Sequence, residues 1–126
     1  MADPAYVLDH VSLPVSDIEG SRRFYERALE PLGFTVIMET PEPSVGFGRP
    51  GRPQFWIRRG EPSSAVHVAF HAADRDRVDR FHAAALEAGG TDNGGPGLRE
   101  HYHPTYYGAF VLDPDGNNVE AVCHTP

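Results

Sequence analysis

A 24-residue segment of this chain recurs 57 positions later without a gap. "HVSLPVSDIEGSRRFYERALEPLG", starting at His10, aligns with "HVAFHAADRDRVDRFHAAALEAGG", starting at His67. Nine positions are identical: His10 with His67, Val11 with Val68, Asp17 with Asp74, Arg23 with Arg80, Phe24 with Phe81, Ala28 with Ala85, Leu29 with Leu86, Glu30 with Glu87, and Gly33 with Gly90. Shared order and spacing make two copies of one folding unit the economical reading, because each copy carries the same succession of local structures.

Each copy starts as a strand and continues as a helix. Val7, Val11 and Leu13 alternate with His10 and Ser12, and Val66, Val68 and Phe70 alternate with His67, Ala69 and His71. A period of two sends alternate side chains to opposite faces, so both histidines point away from the stronger apolar face. Ile18, Ser21, Tyr25, Ala28, Leu29 and Leu32 then follow a helical period, as do Val78, Phe81, Ala85 and Leu86. Ser16 with Glu19 can form a capping box, Asp17 is a competing N-cap, and Asp74 precedes the second helix. Gly33 and Gly89–Gly90 supply the exits.

"FTVIME" and "PQFWIR" read as strands, with the turn-rich "PEPSVGFGRPGR" between them holding at most a short one. "TDNGGPGLREHYHPTY" reads as irregular before the strands "YGAFVLD" and "NNVEAV", which the turn "DPDG" joins. The predicted fold class is α+β: two tandem βαβββ modules, at about 6–59 and 65–123 of a single domain spanning 6–123. They form an open β-barrel-like cup with external helices.

Several function classes are disfavoured. A formal net charge of -7 and the absence of a basic run argue against a nucleic-acid partner. No stretch approaches the roughly 18–20 apolar residues of a membrane span, and "MADPAYVLDH" has no secretory pattern, so no membrane partner and a cytoplasmic location are expected. The single cysteine, Cys123, reads as a small buried residue. "TDNGGPGL" lacks the ordered glycines and Lys-Ser/Thr pair of a phosphate-binding loop. The arginines at 22, 23, 75, 77 and 80 read as exposed helix charge. His71 and His82 read as polar-face or packing residues, and His124 as a terminal surface group.

The paired βαβββ units, "DHVSLPVSD", "VHVAFHA" and the closing "DPDGNNVEAV" together resemble the vicinal oxygen chelate superfamily. Its members include glyoxalases, bleomycin resistance proteins, extradiol dioxygenases and an epimerase. The resemblance implies a divalent metal bound by His10, His67 and Glu120, with Gln54 of "PQFWIRRG" either an optional fourth ligand or a structural or substrate-facing polar residue. Two neutral imidazoles and a carboxylate suit Zn, Ni, Mn or Fe. Trp56 shares the strand face of Gln54, as either a pocket wall or core packing.

His101, His103 and Tyr107 are candidate pocket groups, since histidine transfers protons near neutral pH and tyrosine donates to developing oxyanions. Glu120 is a further candidate for proton transfer. The resemblance implies a metal-dependent glyoxalase-like lyase or isomerase acting on a small oxygenated molecule, and a homodimer. An Fe(II) extradiol-type dioxygenase, an epimerase and a metal-free binding or resistance protein remain alternatives, because one scaffold hosts several chemistries.

Overall fold

The computed structural model describes residues 8–41, 43–63 and 66–126. The first half runs β1 (Val11–Val15), α1 (Ile18–Leu29), a 3₁₀ turn (Glu30–Leu32), β2 (Thr35–Thr40), β3 (Ser44–Arg49) and β4 (Arg52–Arg59). The second runs β5 (His67–His71), α2 (Arg75–Glu87), β6 (Thr91–Asp92), β7 (Gly97–Leu98), β8 (Tyr107–Leu112) and β9 (Asn118–Cys123). Val7, which opens the expected first alternation, and the module boundaries at 6 and 65 lie outside the described residues.

The repeat holds in three dimensions. Strands order β1-β4-β3-β2 in one sheet and β5-β9-β8-β6 in the other, with β7 also pairing β8. In each half the first strand runs parallel to the last, β1 beside β4 and β5 beside β9, while the remaining pairs are antiparallel. A parallel pair needs a crossover, and the intervening helix provides it. Among the described residues the result is two mixed sheets with two helices and no closed barrel.

Local chemistry explains where the helices start and stop. Asp17 and Asp74 are both N-caps, accepting hydrogen bonds from Gly20 N and Arg77 N. Asp17 thus prevails over the Ser16–Glu19 capping box, and the Ser16 hydroxyl instead donates to Asp115 at 2.5 Å. Gly33 ends the 3₁₀ turn with φ 86°, in the left-handed region where glycine has no Cβ penalty.

Two strand regions differ from the sequence reading. β3 is a full six-residue strand. Its glycines weaken intrinsic β-propensity, but Val45 and Phe47 are buried on one face and carry it into the sheet. The irregular 91–106 segment contributes the two-residue strands β6 and β7, which together edge β8 as β2 edges β3.

One face of each sheet is apolar and covered by helix. Leu13, Val15, Val45, Phe47, Phe55 and Ile57 are buried with Phe24, Tyr25, Ala28 and Leu29 of α1. Val119, Ala121, Ala109 and Val111 are buried with Val78, Phe81 and Ala85 of α2. The helices also touch one another, so one core spans both halves. The opposite strand faces carry His10, Ser12, Gln54 and Trp56 in the first half, and His67, His71, Glu120 and Phe110 in the second. No helix among the described residues is long and apolar enough to cross a membrane.

A buried polar contact joins the halves. Tyr25 donates its hydroxyl proton to Asp113 in the β8–β9 turn at 2.5 Å, and Asp113 also accepts from the backbone amides of Asp115 and Asn117. Burial, followed by the adjacent Asp113 charge, pushes the Tyr25 hydroxyl well above its ordinary value. The unfolded chain ionises this tyrosine near pH ~10 while the folded chain does not. Its contribution is therefore complete below about pH 10 and declines above it, by about 1.4 kcal/mol per pH unit. Tyr25→Phe is expected to cost about 1–2 kcal/mol at pH 7 and to have a shallower alkaline decline than the parent. Denaturant titrations at pH 7 and pH ~10.5 check this, and parallel alkaline slopes would refute it.

Candidate metal and substrate site

A polar cluster lies on the helix-free face of the second sheet. β5 and β9 pair in register with His67 opposite Asn118 and Ala69 opposite Glu120. That stagger lets the His67 imidazole reach back across the strands, where Nε2–H donates to Glu120 Oε1 at 2.8 Å. Glu120 is 0% exposed. A carboxylate withdrawn from water needs compensating donors, and the second one is Tyr106, whose hydroxyl donates to Oε2. Burial, then the hydrogen bond to Glu120, raises the Tyr106 hydroxyl far above its ordinary value, so it remains a proton donor.

Gly108 leaves room for this arrangement. A Cβ there would stand 3.2 Å from Tyr106 Cε1 and 3.3 Å from Glu120 Oε2.

The first half offers a different set. His10 stands just before β1, with Nδ1 2.8 Å from Asp9 Oδ1 in an exposed position. His10, Gln54 and His67 line one groove of about 660 Å³ along the seam between the halves, floored by apolar residues including Phe34, Phe55 and Phe70. The register sharpens the comparison of the halves. Ser12 pairs with Trp56, and its repeat counterpart Ala69 pairs with Glu120. Trp56 therefore occupies the position equivalent to Glu120, while Gln54 corresponds to Asn118.

Of the four expected metal ligands, the structure joins His67 to Glu120 and places His10 and Gln54 on the same groove as His67. Among the described residues, no three or more His, Cys, Asp or Glu side chains are grouped as a metal-holding cluster.

The remaining expected groups lie farther along the sheet. Tyr107 turns to the helix side, donating to Asp79 Oδ1 at 2.6 Å with Arg75 over its ring. The hydrogen bond to Asp79, then burial, raises its hydroxyl above the ordinary value. His103 contacts His124 through Nε2 and packs edge-on to Tyr106 at 5.6 Å between centroids. His101 packs against Tyr102 at 4.2 Å, and Tyr102 against Tyr106 at 4.8 Å.

Tyr106 is thus the site residue that the sequence reading passed over in favour of its neighbour. Strand alternation carried the signal: Tyr107 shares parity with buried Ala109 and Val111, which leaves Tyr106 with Gly108 on the Glu120 face.

The model of the Glyoxalase/Bleomycin resistance protein/Dioxygenase superfamily matches residues 7–121, nearly the whole chain. The chain belongs to this superfamily. Solved structures of similar proteins agree with that membership. A glyoxalase/bleomycin resistance protein from Albidiferax ferrireducens T118 is 29% identical, with a TM-score of 0.79 over 93% of this chain and 98% of that one. A putative glyoxalase from Bacillus halodurans is 25% identical, with a TM-score of 0.69 over 94% and 96%. A glyoxalase/bleomycin resistance protein/dioxygenase family enzyme from Burkholderia phytofirmans PsJN, 22% identical with a TM-score of 0.73 over 94% and 98%, shares the fold. No curated protein matches the chain. Within the glyoxalase/dioxygenase superfamily, the paired halves described above are the scaffold, and the particular chemistry rests on the side chains each half presents.

Proposed function

We propose that this chain is a divalent-metal-dependent lyase or isomerase of the glyoxalase type, acting on a small oxygenated metabolite. The observation that carries the reading is the His67–Glu120 pair, an imidazole nitrogen and a fully buried carboxylate oxygen 2.8 Å apart on adjacent strands. That separation suits neighbouring ligand atoms around one cation with bonds of about 2.0–2.2 Å. His10 and Gln54, which line the groove with His67, complete the proposed donor set, and its two imidazoles and carboxylate suit Zn, Ni, Mn or Fe. When bound, the cation would supply positive charge that polarises a substrate carbonyl.

The chain's own groups divide the remaining work. Tyr106 holds one oxygen of Glu120 and so fixes the carboxylate plane, directing the other toward His67. Glu120 is the proposed proton-transfer group. His103 reaches it only through Tyr106, which makes His103 a supporting residue in this scheme.

The test loads the protein with each candidate metal and follows deuterium exchange and oxygen consumption in parallel over a panel of oxygenated substrates. Metal-dependent exchange without oxygen uptake is the expected result. Turnover that consumes oxygen with no exchange requirement would instead establish dioxygenase chemistry.

A second reading, metal-free sequestration of a small molecule, is favoured by two features. Trp56 stands where the second half has a carboxylate, and Tyr106 already satisfies one oxygen of Glu120. Tight ligand binding that survives chelation, with no turnover, would establish it.

A further inference from the structure

The register that makes Trp56 the repeat equivalent of Glu120 also shows what the first half has become. Gly46 of β3 pairs with Trp56 of β4. A Cβ built on Gly46 would lie 3.0 Å from each of three indole carbons, Cε2, Cζ2 and Cη2. Equal approach to three ring atoms means that the indole lies flat over the glycine, using space that only a missing side chain leaves.

Trp56 forms one wall of a second cavity of about 500 Å³, whose lining includes Ser12, Ser44, Asp9, His10 and Arg52. Asp9 and His10 belong to both cavities, so this one opens beside the groove that holds His67. Half-buried Trp56 offers an aromatic face, while the hydroxyls of Ser12 and Ser44 and the charges of Asp9 and Arg52 offer polar partners at its rim.

We infer that the Trp56 cavity is a binding subsite for a flat aromatic ring carrying oxygen substituents. The indole and ring faces stack offset, with both apolar faces removed from water, and hydroxyl or carbonyl oxygens on the ring meet the serines and the rim charges. In the second half the corresponding position holds the buried carboxylate, so the two halves divide recognition of a ring from handling of charge. The inference deepens the proposed function by naming a substrate class and rests on that reading only for where the rest of the substrate goes. The aromatic platform itself requires no metal.

Trp56 is the only tryptophan of the chain, so its emission reports this cavity alone. The probe is 2,3-dihydroxynaphthalene, with butane-2,3-diol as a control that keeps vicinal oxygens but has no ring. Calorimetry and tryptophan emission are followed on the full chain, with and without added metal. The naphthalenediol is expected to bind about 10-fold tighter than the butanediol, the scale of an aromatic contact, and to quench emission saturably. Trp56→Ala should weaken it about 10-fold, whereas Trp56→Phe keeps most of the affinity.

Gly46→Ala, which displaces the indole, should weaken the naphthalenediol comparably, and it carries the test if Trp56→Ala does not fold. Equal affinity for the two diols, or unchanged naphthalenediol affinity in folded Trp56→Ala or Gly46→Ala protein, would overturn the inference. Cation affinity in the same samples should be indifferent to Trp56→Ala. Failure of the parent protein to bind any candidate cation would overturn the metal reading and leave the platform standing.

Discussion

Phe55→Ala is expected to destabilise the protein by about 3–5 kcal/mol, a large part of the roughly 5–15 kcal/mol that holds a domain folded. Phe55 is 1% exposed, and its ring meets Tyr25 at 4.9 Å, Phe47 at 6.0 Å and Phe70 at 5.2 Å. The first two neighbours belong to its own half and the third to the other. Truncation removes the transfer energy of the ring and leaves a cavity between rigid partners, which relax only in part. Because Phe70 loses the nearer of its two edge-on partners, the damage extends across the seam. Urea unfolding should remain one transition with a lower midpoint and an unchanged slope. A loss below about 1 kcal/mol would show that the aromatic cluster repacks and that Phe55 does not join the halves energetically.

Glu120→Ala is expected to have the largest functional effect. Under the proposed function it removes the only negative ligand, and cation affinity should fall by on the order of 10²-fold or more, beyond the 10–100-fold typical of losing a supporting hydrogen bond. It also leaves the Tyr106 hydroxyl and His67 Nε2 without their carboxylate partner. Tyr106 is half-buried and His67 is exposed, so the lost partner costs less than the ~1–3 kcal/mol of a fully buried donor, and a small thermal shift should accompany the loss.

Glu120→Gln separates the two effects. It keeps the shape and an acceptor oxygen but not the charge, so more of the fold stability returns while cation affinity stays low. Tyr106→Phe should fall between, weakening the cation about 10–100-fold by freeing one carboxylate oxygen. Calorimetric metal titration of the folded variants checks the series. Undiminished affinity in Glu120→Ala would dismiss Glu120 as a ligand.

The duplicated scaffold was legible because its signals are local and occur twice. Asp17 and Asp74 cap corresponding helices, and the alternation around His10 and His67 assigns both to helix-free faces without any tertiary information. The equivalence of Trp56 with Glu120 was not legible. It depends on how β4 and β9 slide against β1 and β5, which is set by turn lengths and by the irregularity between Phe47 and Gly48. A strand's own residues fix which face a side chain takes, but its neighbour fixes how far along that face it sits. The Asp9–His10 contact and the His103–His124 contact were likewise hidden, since polar surface side chains choose partners through backbone placement rather than periodicity.

The bond between Tyr25 and Asp113 separates common ancestry from interchangeability. The repeat counterpart of Tyr25 is His82, which does not cross the seam but meets Asp92 beyond the end of its own helix at 2.9 Å. The fastening between the halves is consequently one-way, a bolt on the first copy and its socket on the second. A gene that transposed the two halves would still encode both parts of this fastening. A gene built from two copies of the present first half would encode two bolts and no socket, so this bond could not join them.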